Sequence, residues 1–522
     1  MNLSLLKRTR VVFSSFLLIS VLILFVDFTN IIPERYYDAV LFFQFIPSLL
    51  TFKNFIALSG IGFIIIILLN LLFGRVYCSF LCPLGIFMDV ISYFSKKIKK
   101  IKRYKYLYQK PFNWIRYSFL GIFIMAFLLE LTFIVSLLDP YSIFGRVSSG
   151  VFRPILIKGN NFIVSVFQNF GAYSIFHVDL KSAPMLVLFV SLFFLILIVT
   201  LAFTKGRLYC NTVCPVGTFV GLLSRIAVCK FSIKKDTCTS CKLCERVCKA
   251  SCISIPDQKV DFDRCINCYN CLTVCPEASI EYKYNSAMNS FKKGNSLKND
   301  VNPNRRQFLG ILALIFISKK LRSQRKVVQN TAIIPAERTV PISPPGSLSI
   351  DDFNDSCTAC HLCISACPTQ VLQPAFTDYG LIGFMKAVMD NHAGFCNYEC
   401  VKCAEVCPTG AIQLFDLEDK KRIQMGKVKF EKGNCIVETE GTDCGACAEH
   451  CPTKAVRMVP YKNNLVIPEV DDKICVGCGA CEYACPTTPY RAIYVQGNAV
   501  HLTADKPKQT EQQKEIEEDF PF

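Results

Sequence analysis

The sequence predicts a multi-domain protein, an α-helical membrane domain of four main spans with a two-fold internal repeat, followed by small α+β modules. Three observations carry this. Long apolar segments are confined to the N-terminal part, a cysteine-bearing motif occurs there twice, and most of the 30 cysteines fall into tight sets farther on. At 522 residues the chain is too long for one core. Its 52% apolar content is high for a soluble protein and points to membrane spans.

The four spans are expected at about Val11–Phe28, Phe55–Phe73, Tyr117–Leu138 and Pro184–Phe203. Two shorter apolar stretches, Val40–Leu50 and Phe162–Phe176, are broken by Pro47 or by Gln168, Asn169 and Gly171, and read as interfacial pieces. Lys7, Arg8 and Arg10 precede the first span, the Lys96–Lys110 run joins the second to the third, and Lys205 and Arg207 follow the fourth. By the positive-inside bias all three flanks face the cytoplasm, so the chain enters and leaves a bacterial inner membrane on that side. The formal charge of +17 suggests nucleic acid at first sight. The basic residues instead cluster beside apolar spans, and no nucleic-acid partner is expected.

The repeat is explicit. Gly74–Phe87 reads GRVYCSFLCPLGIF and Gly206–Phe219 reads GRLYCNTVCPVGTF, each just after an outside-to-inside span. An internal repeat of this kind usually places a shared site between its halves. If the motif continues helically, Cys78 and Cys82 share one face at i, i+4, as do Cys210 and Cys214. Four thiols paired across the repeat could hold a small cluster or form redox-active disulfides; inert helix-end packing is the bland alternative. Glu130 is the one carboxylate well inside an expected span, either a proton acceptor for quinol oxidation or a snorkelling or helix-paired glutamate.

The domains follow in order. Residues 1–225 form the membrane domain and 229–283 a cytoplasmic two-cluster ferredoxin module. Residues 284–350 are a linker with a twin-arginine-like apolar segment at 303–318, 351–503 are a four-cluster block, and 504–522 are a disordered tail. A secreted disulfide scaffold would show irregular cysteine spacing. Here the sets are C-x2-C-x2-C-x3-C runs or close variants, the spacing by which a loop wraps a [4Fe–4S] cube while its last cysteine serves a neighbour. In the cytoplasmic module Cys238, Cys241 and Cys244 take Cys275 as fourth ligand, and Cys265, Cys268 and Cys271 take Cys248. Pro276 follows Cys275 as expected, but Lys249 stands where the other proline would be. Cys229 and Cys252 are left over as structural thiols.

The distal block holds four sets: Cys357, Cys360, Cys363, Cys367; Cys396, Cys400, Cys403, Cys407; Cys435, Cys444, Cys447, Cys451; and Cys475, Cys478, Cys481, Cys485. The second and third open with a wider first gap. Consecutive sets could exchange ligands, or the first could pair with the fourth and the second with the third, and spacing does not decide. The total is six [4Fe–4S] clusters, with a further redox centre at the C-x3-C-P cysteines still open. Zinc also takes four cysteines, but six successive sets, five ending in Cys-Pro, argue against it. Cys357-Thr-Ala-Cys360-His361 matches a haem attachment pattern, yet both cysteines are needed by the cluster set, so no haem is expected. None of the five histidines lies in a span, which excludes a bis-histidine haem there.

Residues 1–282, with two Y-C-x3-C-P-x-G motifs between four spans and a two-cluster module, resemble the NapH-type membrane ferredoxins, a group that includes NosR- and MauN-like proteins. Residues from about 303 to 500 resemble the NapG/MauM-type ferredoxins, which carry four cluster sets behind a twin-arginine leader. The resemblance implies two such proteins fused into a quinol-dehydrogenase-like unit. Electrons would pass from menaquinol or a similar quinol through the clusters to a separate periplasmic reductase. No molybdopterin, flavin or nucleotide motif stands out, so a terminal substrate site is not evident. Arg305-Arg306 with Phe308-Leu309 suits export of the distal block, although Lys319, Lys320, Arg322, Arg325 and Lys326 oppose it. The reading favours a periplasmic distal block. The rival function is a maturation or regulatory factor that supplies electrons for assembly or reactivation of a partner metalloenzyme.

Overall fold

The computed structural model describes residues 3–29, 31–53, 60–98, 106–171, 176–181, 185–284 and 338–506. The twin-arginine-like segment 303–318, residues 55–59, much of the Lys96–Lys110 run and residues 507–522 lie outside them.

Among the described residues, two helices are long and apolar enough to cross a membrane, Leu5–Val26 within Leu3–Val26, and Met185–Lys205. Twenty-one residues rise about 30 Å, the thickness of a bilayer's hydrocarbon core. Both present large apolar side chains outward, Val12, Phe16 and Ile19 on the first and Phe189, Phe193 and Ile196 on the second. Shorter apolar helices pack beside them, among them Gly60–Phe73, Pro83–Ile98, Asn113–Leu128 and Pro215–Ser224. The inward faces meet in one core that includes Leu17, Val21, Phe25, Ile66, Phe123 and Ile198.

Two local expectations are corrected. Tyr117–Leu138 is not one helix: Asn113–Leu128 stops, and Thr132–Leu138 resumes after a tight turn. Glu130 takes a left-handed φ of 58°, and the Leu131 amide reaches back to the Ala126 carbonyl to close the turn. Glu130 is therefore exposed at the break between two helices rather than in the middle of one. The C-x3-C-P motifs do not continue helically either. Tyr77–Phe80 ends, and a new helix begins at Pro83; Leu208–Thr212 ends, and the next begins at Pro215. The residue before a proline is driven out of the α region, and Cys214 is extended at φ −67°, ψ 114°.

The cysteine-rich parts are built from short helices and two-stranded antiparallel sheets. In the proximal module Cys229–Ile233 pairs with Ile280–Tyr284, so its first and last strands close it. In the distal block Ile423–Phe430 pairs with Ile493–Thr503, enclosing the third and fourth cysteine sets. Smaller pairs, Leu372–Pro374 with Ala387–Met389 and Val456–Pro460 with Val466–Val470, complete it.

Candidate metal centres

The regular C-x2-C-x2-C loops share one backbone device. The residues on either side of the second cysteine are left-handed: Ser240 and Lys242, Asn267 and Tyr269, Ala359 and His361, Gly477 and Gly479, with φ from 50° to 82°. Alternating left- and right-handed residues turn successive amides toward one point and form a nest for an anion. Six of these eight are not glycine, and each would be strained without surroundings that fix it. The loops that open with a wider gap lack the device.

Four of the six loops border a cavity. In the proximal module Cys238, Cys241, Cys244 and Cys275 line one of about 330 Å³. Cys265, Cys268, Cys271 and Cys248 line another of about 340 Å³, together with the extra Cys252. Cys252 Sγ lies 3.4 Å from Cys248 Sγ and is buried, whereas Cys229 is half-buried at the start of its strand. The spacing expects each of these two groupings as the ligands of one cluster.

The distal cavities answer what spacing left open. Cys357, Cys360, Cys363 and Cys407 line one of about 360 Å³, and Cys435, Cys444, Cys447 and Cys485 one of about 350 Å³. Reciprocally, Cys367 lies within electrostatic reach of Cys400 and Cys403, and Cys451 of Cys475, Cys478 and Cys481. The last cysteine of each set therefore lies near the first three of its consecutive neighbour. Among the described residues no three His, Cys, Asp or Glu side chains converge closely enough to grip a single ion. Quartets spread around a common cavity suit a group larger than one ion.

Sequence reasoning missed one group of residues. All four distal sets end in Cys-Pro-Thr, and each threonine hydroxyl comes near its cysteine sulfur: Thr369 at 3.6 Å, Thr409 at 3.9 Å, Thr453 at 3.6 Å and Thr487 at 3.2 Å. The fourfold repeat of that threonine was the available signal.

Cys78, Cys82, Cys210 and Cys214 are all buried in the core of the N-terminal helices. Arg75 and Arg207, each just ahead of its motif, cross between the halves. Arg75 Nη2 donates to the Cys210 carbonyl at 3.1 Å, and Arg207 Nη1 to the Cys78 carbonyl at 2.9 Å.

The proximal module is fastened beside this site. Asp89 receives Arg207, Lys249 and Arg10 at 3.0 to 3.2 Å. Burial alone would raise its carboxyl, but Arg207, then Lys249 and Arg10, hold it far below the ordinary aspartate range. The Arg207 amide donates to the Lys249 carbonyl at 3.0 Å. Lys249 thus occupies the missing proline's place as a tether. Asp263 takes Arg116 at 3.2 Å and Arg225 at 2.9 Å.

The distal block docks elsewhere on the same domain. Lys386 Nζ donates to Thr132 Oγ1 at 2.9 Å and also meets the Asn354 carbonyl, and burial pushes its ammonium down to about 8. His361 Nδ1 lies 3.2 Å from Ser149 Oγ and Nε2 2.9 Å from the Met385 carbonyl, so both ring nitrogens are engaged by protein. The Lys181 amide donates to Gln370 Oε1 at 3.0 Å.

Models described as 4Fe-4S binding domains match residues 55–102 and 186–234, residues 259–281, and residues 235–251 and 354–370. A 4Fe-4S dicluster domain model matches 395–455 and 442–488. An uncharacterized protein of Methanocaldococcus jannaschii is 24% identical over 222 residues, 42% of this chain and 68% of its own length. The methylamine utilization ferredoxin-type protein MauN of Paracoccus denitrificans is 27% identical over 187 residues, 36% of this chain and 52% of its own. The ferredoxin-type protein MauM of Methylobacillus flagellatus is 32% identical over 181 residues, 33% of this chain and 71% of its own. No solved structure matches. With a MauM protein covered to that extent and cluster-binding domains along both cysteine-rich parts, the chain belongs to the family of ferredoxin-type iron–sulfur electron-transfer proteins.

Proposed function

We propose that this protein is a NapH-like membrane ferredoxin fused to a MauM-like polyferredoxin, and that it carries electrons from the quinol pool to a separate reductase. Six [4Fe–4S] clusters supply the one-electron carriers. The 24 loop cysteines hold them, four to each cluster, in the groupings described above, with consecutive sets exchanging ligands.

The observation that supports a transmembrane route is that three helices each touch the proximal module at one end and the distal block at the other. Lys7 donates to Thr273 at 3.3 Å, while Phe25, eighteen residues on, lies under the Cys360 loop. That separation is about 27 Å of helix. In Asn113–Leu128, Arg116 pairs with Asp263, and the following turn presents Thr132 to Asn354. In Met185–Lys205, Val187 packs with Ala359 and Met385, while the helix runs out at Gly206 against Lys249. Together with Gly60–Phe73 these are the four spans, and the apolar side chains on their outward faces suit lipid. The proximal module then faces the cytoplasm and the distal block the periplasm, with the cluster cavities of the two on opposite sides of an inner membrane.

The test is topological and kinetic. Cysteines placed at the exposed positions Leu502 and Tyr284 are treated with a membrane-impermeant maleimide in intact cells. Leu502→Cys should label directly and Tyr284→Cys only after permeabilisation; equal labelling sinks the two-sided arrangement. A menaquinol analogue should reduce the purified clusters at a competent rate. Failure there, with respiration unchanged and a cofactor-poor partner enzyme in cells lacking the protein, favours the maturation role.

A further inference from the structure

Cys78, Cys82, Cys210 and Cys214 belong to no ferredoxin loop, yet they are 4–5% exposed and surrounded by positive charge. Cys82 and Cys214 sit at the starts of Pro83–Ile98 and Pro215–Ser224, and each sulfur accepts an amide of its own helix, from Gly85 at 3.4 Å and Gly217 at 3.3 Å. Two helix N-termini therefore end on Cys82 and Cys214, which lie within electrostatic reach of Cys78 and Cys210, and their dipoles favour an anion there.

Two guanidiniums converge on them as well. Arg75 and Arg207 are fully buried. Arg75 Nη2 lies 3.7 Å from Cys78 Sγ, and Arg207 Nη1 lies 3.8 Å from Cys210 Sγ. Gly85 and Gly217 leave the room: a Cβ on Gly217 would come within 2.9 Å of Arg75 Nη2, and one on Gly85 would overlap Arg207. Arg207 shares Asp89 with Arg10 and Lys249. Arg75 pairs with no carboxylate among the described residues; its other hydrogen bonds go to Asn211 Oδ1 at 2.7 Å and to the Asp263 and Cys210 carbonyls, and its Nε has no partner.

The charge does not balance. Arg10, Arg75, Arg116, Arg146, Arg207 and Lys249 are buried around this junction against three buried carboxylates, Asp89, Asp139 and Asp263. An unmatched buried charge costs several kcal/mol. Four neutral thiols, or two disulfides, leave the excess uncompensated. Four thiolates around an oxidised [2Fe–2S] or [4Fe–4S] core of charge 2+ carry a net −2 in either case.

We propose that Cys78, Cys82, Cys210 and Cys214 hold a seventh iron–sulfur cluster of net charge −2, with Arg75 and Arg207 as its counter-ions. The site goes beyond the six-cluster reading. It adjoins the proximal module, because Arg75 also binds the Asp263 carbonyl two residues before Cys265. It accepts one electron from a reduced proximal cluster and passes one on toward the distal block, with no bond made or broken.

The test uses the full chain purified anaerobically, comparing iron and acid-labile sulfide in the wild type and in the double variant Cys78→Ser, Cys210→Ser. Six cubanes account for about 24 irons per chain. The wild type should exceed that by about two or four, and the double variant should lose that increment alone; its size tells the two cores apart. Equal iron in both proteins overturns the site. A wild-type total well below six cubanes, with the increment still lost in the variant, counts against the six-cluster reading and for this site. Arg75→Gln should shift the midpoint of the added signal to more negative potential, whereas Arg75→Lys should restore most of it. Indistinguishable midpoints in all three proteins overturn the counter-ion role.

Discussion

The carbonyl of Cys360 rests directly on Gly145, with the Phe25 ring closing the other side of the same spot: a Cβ on Gly145 would overlap both. The N-terminal helix Pro140–Val147 thus gives up a side chain so that a distal cysteine loop can approach. Gly145→Val should push the loop away at a cost of about 1–3 kcal/mol, weakening docking roughly 5- to 150-fold. The expected result is unchanged iron content with slower reduction of the distal clusters by quinol and faster proteolysis after residue 338. Unchanged transfer would show that this contact is not on the route.

Exchange of last cysteines between consecutive sets gives a second prediction. Cys407→Ser should perturb the cluster of Cys357, Cys360 and Cys363, although it lies in the next set. Cys367→Ser should instead perturb the cluster of Cys396, Cys400 and Cys403. EPR of each variant against single changes at Cys360 and Cys400 checks the assignment. A match between Cys407→Ser and Cys400→Ser spectra would rule the exchange out.

A third prediction concerns Thr453, whose hydroxyl lies 3.6 Å from Cys451 Sγ. Hydrogen bonds to ligand sulfur stabilise the more negative, reduced state and raise the potential. Thr453→Val should lower the potential of the cluster that Cys451 serves by roughly 20–60 mV, the equivalent of a net bond of about 0.5–1.5 kcal/mol. Redox titration followed by EPR reads the shift, and an unmoved midpoint rejects the bond.

How far the sequence went depends on the range of the interaction. Loop spacing is local, so the cysteine quartets of the proximal module could be read from residue numbers alone. Pairing in the distal block was not local. It follows from the strand pair Ile423–Phe430 with Ile493–Thr503, which encloses the third and fourth sets and leaves the first two to each other. The helix breaks at Cys82 and Cys214 were legible from Pro83 and Pro215, and reading one helical face through them neglected the residue-before-proline rule. The break at Glu130 had no such marker, since neither glycine nor proline is present from Phe123 to Leu138. Arg75 and Arg207 were visible as retained letters of the repeat, but their crossing between halves needs the folded core.

Asp89 supports the fourth prediction. Its carboxylate is buried beneath Arg10, Arg207 and Lys249, and Asp89→Asn leaves three cations without their shared anion. Breaking a buried ion cluster costs about 3–5 kcal/mol. Because the folded-state pKa is depressed, the stabilisation is full above the ordinary aspartate value of 3.8 and is lost only as pH falls below it. Thermal stability of the wild type should therefore drop below about pH 4, and the Asp89→Asn protein should lack that component of the drop. Parallel melting curves from pH 3 to 7 would contradict the assignment if the two proteins lost stability equally.

Lys249 tests whether the odd residue in a cysteine motif is a defect or a device. From the motif alone, Lys249→Pro restores the usual Cys-Pro ending and should be neutral or favourable. The structure says otherwise. Lys249 Nζ lies 3.2 Å from Asp89, and its carbonyl accepts the Arg207 amide at 3.0 Å, so this position joins the proximal module to the helix that carries the second C-x3-C-P motif. Proline keeps the carbonyl but removes the ammonium from a buried carboxylate. The variant should keep its full complement of iron, because Cys248 and the Cys265 loop are untouched, while the module loosens from the membrane domain and becomes open to protease. Lys249→Arg should hold it in place by preserving the charge. If the proline variant stays docked and transfers electrons at the wild-type rate, the ammonium contributes nothing, and attachment falls to Arg116 and Arg225 on Asp263.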